Sequence, residues 1–319
     1  MILVTGATGF LGSELVRQLV LQGKPVRAIK RTSSVIPPVL TTTGSIDWRD
    51  ADLLDHYAME EAMEDVTEVY HCAAMVSFRS EDKKAMLRVN VEGTASLINI
   101  CLRNKIRKLV HASSVSAIGN SKNGQYTSEN DHWQFSRNES NYSISKYESE
   151  MEVFRGIAEG LSAVIVNPSI IIGKNAGKRG SGQLFEVVKE GLRFYPGGTC
   201  GIVDVEDVAA IMIRLMASDI ETERFILNSE NVSYRDLFTA IANGYGLRPP
   251  KYPLKQWVLK SGFLASSLAR LITGKELGIT KEITRSAFKT SRYSNEKITK
   301  ALNTRFKPVS ESILEICRA

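Results

Sequence analysis

The sequence predicts an α/β fold, a doubly wound parallel sheet with helices on both faces, followed by a smaller C-terminal lobe. Short β-branched runs alternate with longer helical patterns through the first half, and a glycine-rich turn joins the first run to the first helix. At 319 residues the chain also exceeds one typical domain of roughly 100 to 200 residues, which leaves room for a second lobe.

Residues 2–5 form the first buried strand and 9–22 the helix after it. Residues 26–29 give the second strand, 68–74 another, and 84–103 a long helix. Strands at 109–113 and 163–166 flank a helix at 143–158. These runs are apolar without alternation, as expected of strands covered on both faces. Residues 1–170, completed by part of 200–230, form the sheet domain, and residues 171–319 form most of the second lobe. Loops are expected at 121–141 and 173–182, where polar residues and glycine replace the periodic pattern.

The composition, 43% hydrophobic and 24% charged, is that of a globular chain and excludes disordered or fibrous classes. The most apolar later stretch, 161–172, is broken well before the roughly 20 residues a spanning helix needs. No apolar export segment precedes the first strand, so a cytoplasmic protein is expected. Cys72, Cys101, Cys200 and Cys317 lie too far apart for a CxxC pair or a metal cluster, so reduced thiols and no metal are expected. The net charge of +6 is uneven: residues 245–319 carry 15 Lys and Arg against 5 Glu. These cations are dispersed among apolar residues, which favours a solvated face over a nucleic-acid site. Residues 257–271 place apolar side chains at helical intervals. Gly262, Ser266 and Ser267 interrupt that stripe, so it is expected to wall a cleft rather than lie on a membrane.

Chemistry enters with Thr5-Gly6-Ala7-Thr8-Gly9-Phe10-Leu11-Gly12. Gly6 permits a tight turn, Gly9 lets backbone approach a pyrophosphate, and Gly12 permits close helix–strand packing. The helix N-terminus then presents N–H groups to phosphate. The second strand ends in Lys30-Arg31, where an Asp or Glu would accept from the ribose hydroxyls of NAD. Two cations suit a 2′-phosphate instead, so NADP(H) is expected in preference to NAD(H). Asp52 and Leu53 follow the third strand and are expected at the adenine. Tyr142 and Lys146 stand at i and i+4 on one helix face. The ammonium is expected beside the phenol, drawing its pKa down from about 10 so that it can exchange a proton with a substrate oxygen.

The GxxGxxG spacing of that first loop resembles the extended short-chain dehydrogenase/reductases of the NAD-dependent epimerase/dehydratase family. Further markers follow in order: His71-Cys72-Ala73-Ala74, Val89-Asn90-Val91-Glu92-Gly93-Thr94, His111-Ala112-Ser113-Ser114-Val115, Tyr142-Ser143-Ile144-Ser145-Lys146 and Asn167-Pro168-Ser169. The tail, Tyr293-Ser294-Asn295-Glu296-Lys297 through Lys307-Pro308, resembles the family's closing segment, and Ser128-Glu129-Asn130-Asp131-His132-Trp133 resembles dihydroflavonol 4-reductase-like members. The resemblance implies a Rossmann fold and catalysis by Ser114, Tyr142 and Lys146, with Ser114 chosen over Ser113 by counting five residues back from Gly119. It implies cofactor contacts from Gly6, Thr8, Gly9, Phe10, Leu11, Gly12, Lys30, Arg31, Asp52, Leu53, Ala73, Ala74, Asn90, Ser113, Tyr142, Lys146, Pro168 and Ser169. Lys146 would also hold the nicotinamide ribose, and Asn90 would steady the helix near Lys146 or carry a water.

The expected reaction is reversible hydride transfer between NADPH and the carbonyl carbon of a small ketone or aldehyde. Substrate is expected against residues 75–81, 125–141, 173–196 and those after Pro249, with Phe78, Trp133, Phe135, Phe185, Tyr195 and Trp257 as aromatic contacts. A homodimer is expected through 84–103 and 143–158, by the family's four-helix bundle. Two rivals stand beside this reading: a nucleotide-sugar epimerase or dehydratase that retains NAD, and a non-enzymatic NADP-sensing protein. Lys30-Arg31 argues against the first, and an intact Ser114, Tyr142 and Lys146 against the second.

Overall fold

A computed structural model describes residues 1–119, 121, 125–136, 139–178, 180–254 and 287–319. The expected stripe at 257–271, Trp257 included, lies outside the described residues.

Seven parallel strands form the central sheet, in the order β10-β6-β5-β4-β1-β2-β3. They are β1 (Ile2–Thr5), β2 (Val26–Lys30), β3 (Asp47–Asp50), β4 (Glu68–His71), β5 (Lys108–Ala112), β6 (Ala163–Pro168) and β10 (Glu223–Leu227). Strand alternation divides their side chains between two cores. Val4, Val110, Val164 and Val166 enter one, with Leu15, Leu19, Val208 and Met212 of α1 (Phe10–Leu21) and α8 (Val205–Ala217). Leu3, Leu109, Ala163 and Ile165 enter the other, with Met59, Leu97, Ile98 and Val153 of α3 (His56–Ala62), α5 (Gly93–Arg103) and α6 (Asn141–Ala158). Burial on both faces is why the central strand β6, Ala163–Pro168, carries no polar alternation.

The chain reverses its direction of winding between β1 and β4, which are adjacent in the sheet but far apart in sequence. In an open parallel sheet, such a switch point leaves a crevice at the carboxyl ends of the strands. The glycine-rich turn after β1 and residues 72–75 after β4 flank that crevice.

The helix expected over 84–103 is divided. Short α4 (Lys83–Leu87) passes into a π-helical turn, Arg88–Glu92, before α5 begins. The inserted turn brings Asn90 inward, where it is buried. π-Turns of this kind commonly mark functional sites.

The second lobe has a three-stranded sheet, β7 (Ile170–Ile172), β9 (Thr199–Asp204) and β11 (Glu230–Ser233), and a two-stranded one, β8 (Phe194–Tyr195) with β12 (Tyr252–Pro253). Helices α7 (Gln183–Lys189), α9 (Tyr234–Gly244) and α11 (Val309–Arg318) close a third core around Ile202, Phe238, Ile241 and Ile313. Between α10 (Glu296–Leu302) and α11, Lys307 ties the tail to the start of α8. Its ammonium lies 2.9 Å from Glu206, 3.4 Å from Glu315 and 3.6 Å from Asp204.

Candidate active site

The crevice begins at the glycine turn. Gly6 has a φ of +65°, and a Cβ there would stand 2.6 Å from the Ala73 nitrogen. A Cβ on Gly12 would run into the Gly6 carbonyl oxygen. Gly9 is exposed and caps α1 without a side chain, so the first N–H groups of the helix face the opening. Backbone drawn this close to β4, with an uncapped helix N-terminus above it, fits a dinucleotide pyrophosphate. Thr8 sits half-buried on the same turn, and Leu11 packs partly into the core. The Phe10 ring edge approaches Gly173, to within 3.3 Å of where its Cβ would be.

Strand β4 supplies the opposite bank. The Thr5 hydroxyl accepts from Ala73 N at 3.1 Å and pairs with His71 Nδ1 at 2.7 Å. Ala74 is exposed beside the opening. Asn90 holds the next residue by both its backbone groups, accepting from Met75 N at 2.7 Å and donating to Met75 O at 2.9 Å. Its amide also donates to Ser145 Oγ on α6 at 3.0 Å, so the π-turn steadies α6 one residue before Lys146.

At the reacting end, α6 starts with Ser140 accepting from Ser143 N at 2.9 Å. Ser143 in turn donates to Ser116 O at 2.5 Å, seating the helix on the segment after β5. Tyr142 and Ser114 are neighbours: the Ser114 hydroxyl draws the phenol's pKa down, while burial pushes it up and prevails. Ser114 is half-buried, and Ser113 is buried on the other side of the backbone. The edge of Phe78 meets the Tyr142 ring at a centroid distance of 5.9 Å.

Lys146 departs from the expected arrangement. Its ammonium donates to the Ala112 carbonyl at 2.9 Å, and the tyrosine's pKa is governed by burial and Ser114 rather than by this lysine. A buried ammonium takes the nearest backbone acceptor, and the end of β5 offers one directly beneath the helix. Burial lowers the Lys146 pKa to about 8, opposed by Glu150 and Cys72.

Two further expectations are corrected. Lys30 and Arg31 do not act as a pair: Lys30 is bound at 2.5 Å by Asp50, its partner in the β2–β3 register. Arg31 is exposed, and its side chain has no partner among the described residues. Of the expected aromatic contacts, Phe185 is buried in the core of the second lobe. Trp133 stacks on Tyr147 at 4.2 Å, with Phe135 against it. Tyr147 is five residues beyond Tyr142, roughly 140° around the helix, so this aromatic group lies on a face turned from the reacting phenol. His132 is exposed on that same side, against Tyr147 and Met151. Tyr195 lies under the Arg235 guanidinium at 5.8 Å.

Just beyond β3, Asp52 is exposed, with one carboxylate oxygen taken by Leu54 N at 2.9 Å. Leu53 is buried in the core against Gly93. Pro168 closes β6, buried beside Leu227. The buried Ser169 hydroxyl makes no hydrogen bond among the described residues, leaving a polar atom near the end of β6.

The sequence pattern did not single out a polar seam beneath these groups. His71 Nε2 pairs with Thr94 at 2.9 Å, Thr94 with Ser149 at 3.2 Å, and Ser149 with His111 at 3.4 Å. Burial holds both histidines neutral, His71 at about 3 and His111 also far below its usual value. Glu150, Asn167 and Arg224 continue the seam. Its one sequence signal is the spacing Tyr142, Lys146, Glu150, three polar residues on successive turns of one helix face.

The comparisons agree with this architecture. A model of the NAD-dependent epimerase/dehydratase family matches residues 2–227. A Methylococcus capsulatus protein named sterol demethylase protein B is 34% identical, over 72% of this chain and 70% of that protein. A Synechocystis protein provisionally named a dihydroflavonol 4-reductase is 32% identical, over 80% of this chain and 75% of its own. The crystal structure of a Thermus thermophilus UDP-glucose 4-epimerase in complex with NAD is 22% identical and shares the fold, with a TM-score of 0.78 over 99% of this chain and 97% of that one.

The glycine geometry yields a stability contrast. Gly12→Ala is expected to cost about 1–3 kcal/mol through overpacking, measured by urea denaturation, whereas Gly9→Ala, whose Cβ would meet only Gly6 O at 3.1 Å, should cost far less. Equal stability of the two variants would contradict the close approach.

Proposed function

The chain belongs to the NAD-dependent epimerase/dehydratase family, and from that premise we propose that it is an NADP(H)-dependent reductase acting reversibly on a ketone or aldehyde carbonyl. The observation that carries the reading is the placement of Ser114 beside Tyr142 at the switch-point crevice, with Lys146 buried behind it. The provisional name of the Synechocystis relative supports a reductase. The free Arg31 and the lack of an acidic residue at the end of β2 support NADP(H) over NAD(H).

In this proposal residues 1–170, with part of 200–230, hold the cofactor and most of 171–319 holds substrate. Gly6, Thr8, Gly9, Phe10, Leu11 and Gly12 receive the pyrophosphate, Arg31 a 2′-phosphate, and Asp52 the adenine. Lys30 assists Arg31 only as far as its bond to Asp50 allows, and Leu53 contributes packing beneath. Ala73 and Ala74 pass under the adenosine side, Pro168 and Ser169 border the nicotinamide half, and the buried Asn90 and Ser113 support it from behind. When bound, the cofactor supplies or accepts the hydride. Ser114 then donates a hydrogen bond to the carbonyl oxygen, and Tyr142 gives that oxygen its proton. Lys146, buried one turn along the same helix face, holds the hydroxyls of the nicotinamide ribose. Phe78, edge-on to Tyr142 and 37% exposed, presents an apolar wall to the substrate. Homodimerisation through the outward faces of α5 and α6 belongs to the same proposal, supported by Met151, an exposed apolar residue on α6. No helix among the described residues is long and apolar enough to cross a membrane.

Two experiments test this reading. With NADPH and a panel of aromatic and aliphatic aldehydes and ketones, Tyr142→Phe is expected to lose about 10²–10⁴-fold in kcat while its cofactor affinity stays within a few-fold. Retained turnover would remove Tyr142 from the proton step. By calorimetry, NADPH is expected to bind at least about tenfold more tightly than NADH, one charge-assisted contact being enough for that. Arg31→Asp should erase the difference. Equal affinities in the parent protein would count against NADP(H).

A further inference from the structure

Glu150 has no role in the mechanism above, yet it is the most unusual side chain near it. It is 0% exposed, and burial raises its pKa. A carboxylate so placed costs stability unless it is held by donors and an opposite charge. Two other elements hold it. Asn167, at the end of β6, donates from one amide nitrogen both to Glu150 and, at 2.9 Å, to the carbonyl of Ser114. Arg224 of β10 places its guanidinium 3.6 Å from the second carboxylate oxygen. That guanidinium also donates to Glu129 O at 2.6 Å and Asp131 O at 3.0 Å, in the loop that leads to α6.

Lys146 lies one turn before Glu150 on the same helix face. The groups packed around it are otherwise neutral. From β4 come His71 and the Cys72 thiol, the latter pushed up to about 12, and from β5 comes His111. Tyr142 on α6 itself is a neutral phenol, its pKa raised by burial. Arg224 faces Glu150 from β10. Among the described residues, Glu150 is the buried carboxylate that shares this helix face with the buried Lys146, one turn away.

We propose that Glu150 is a positioning residue whose carboxylate keeps the buried Lys146 protonated, held for that purpose by Asn167 and Arg224. The same clamp fixes Ser114, so the charge of the lysine and the placement of the reacting hydroxyl depend on one buried group. The inference rests on Lys146 as the lysine of the proposed site, but its test requires neither cofactor nor substrate.

The probe is protein labelled with ¹³C-lysine, in which the Cε resonance of Lys146 is the one lost in Lys146→Arg. Its titration midpoint is expected near 8 in the parent. The ammonium loses its proton as pH rises through that value, and removing a neighbouring negative charge must lower it. Glu150→Gln keeps the shape and an acceptor for Asn167, and is expected to move the midpoint down by about one pH unit. Glu150→Asp, which keeps the charge, should leave it close to the parent. A purely structural role predicts the same midpoint for Glu150→Gln and the parent, and that result would overturn the proposal. Should Glu150→Gln fail to fold, Asn167→Ala replaces it. Asn167 carries no charge of its own, so its removal reaches Lys146 only through a carboxylate left less stable as an anion; the midpoint should fall, and an unmoved or raised midpoint overturns the proposal equally.

Discussion

A lysine ammonium that is 2% exposed must be satisfied from within the protein, and the bond from Lys146 to the Ala112 carbonyl does this. The constraint is strict because a buried cation without partners would lose its proton or its place. The bond joins α6 to the end of β5, so the helix carrying Tyr142 cannot shift without exposing an unpaired charge. Around that seam the other contacts fall into place. Ser143 seats the helix start on Ser116, Asn90 braces it through Ser145, and Asn167 ties the next turn to Ser114. Tyr142 is thus carried by a regular helix, and Ser114 by the short segment between β5 and the turn at Val115–Ala117.

The same economy governs the cofactor side. Strands β1 and β4 are neighbours, and Gly6 lets the turn after β1 lie against Ala73 with no side chain between. The crevice exists because the two chain ends diverge there, and the backbone can line it because Gly6 and Gly9 occupy the turn and Gly12 the first turn of α1. Arg31 stands at its far edge, exposed and unpaired among the described residues.

Sequence reading reached these features where local pattern carries the physics. Buried parallel strands appear as unbroken apolar runs, the glycine spacing specifies the turn, and the i, i+4 pair specifies one helix face. It failed where the deciding partner is remote in sequence. Asp50 neutralises Lys30 only because β2 and β3 pair in a particular register. Trp133 turns away from Tyr142 because Tyr147, on another face of α6, offers it a stacking partner. The π-turn at Arg88–Glu92 has no distinct signal in a segment that is helical on either side. Glu150 showed its spacing but not its burial, which depends on Asn167 and Arg224 arriving from strands β6 and β10.

In the proposed reaction this site exchanges a nicotinamide cofactor with solution at every turnover, rather than keeping one and returning its hydride internally. The direct measurement is the nicotinamide nucleotide released when freshly purified, dialysed protein is denatured and the supernatant is separated by chromatography. The account predicts well under one equivalent of bound nucleotide, and recovery of a full equivalent of NADPH after the dialysed protein is incubated with it. One equivalent of NAD that survives dialysis would contradict it and assign the chain to internal redox chemistry on a sugar nucleotide.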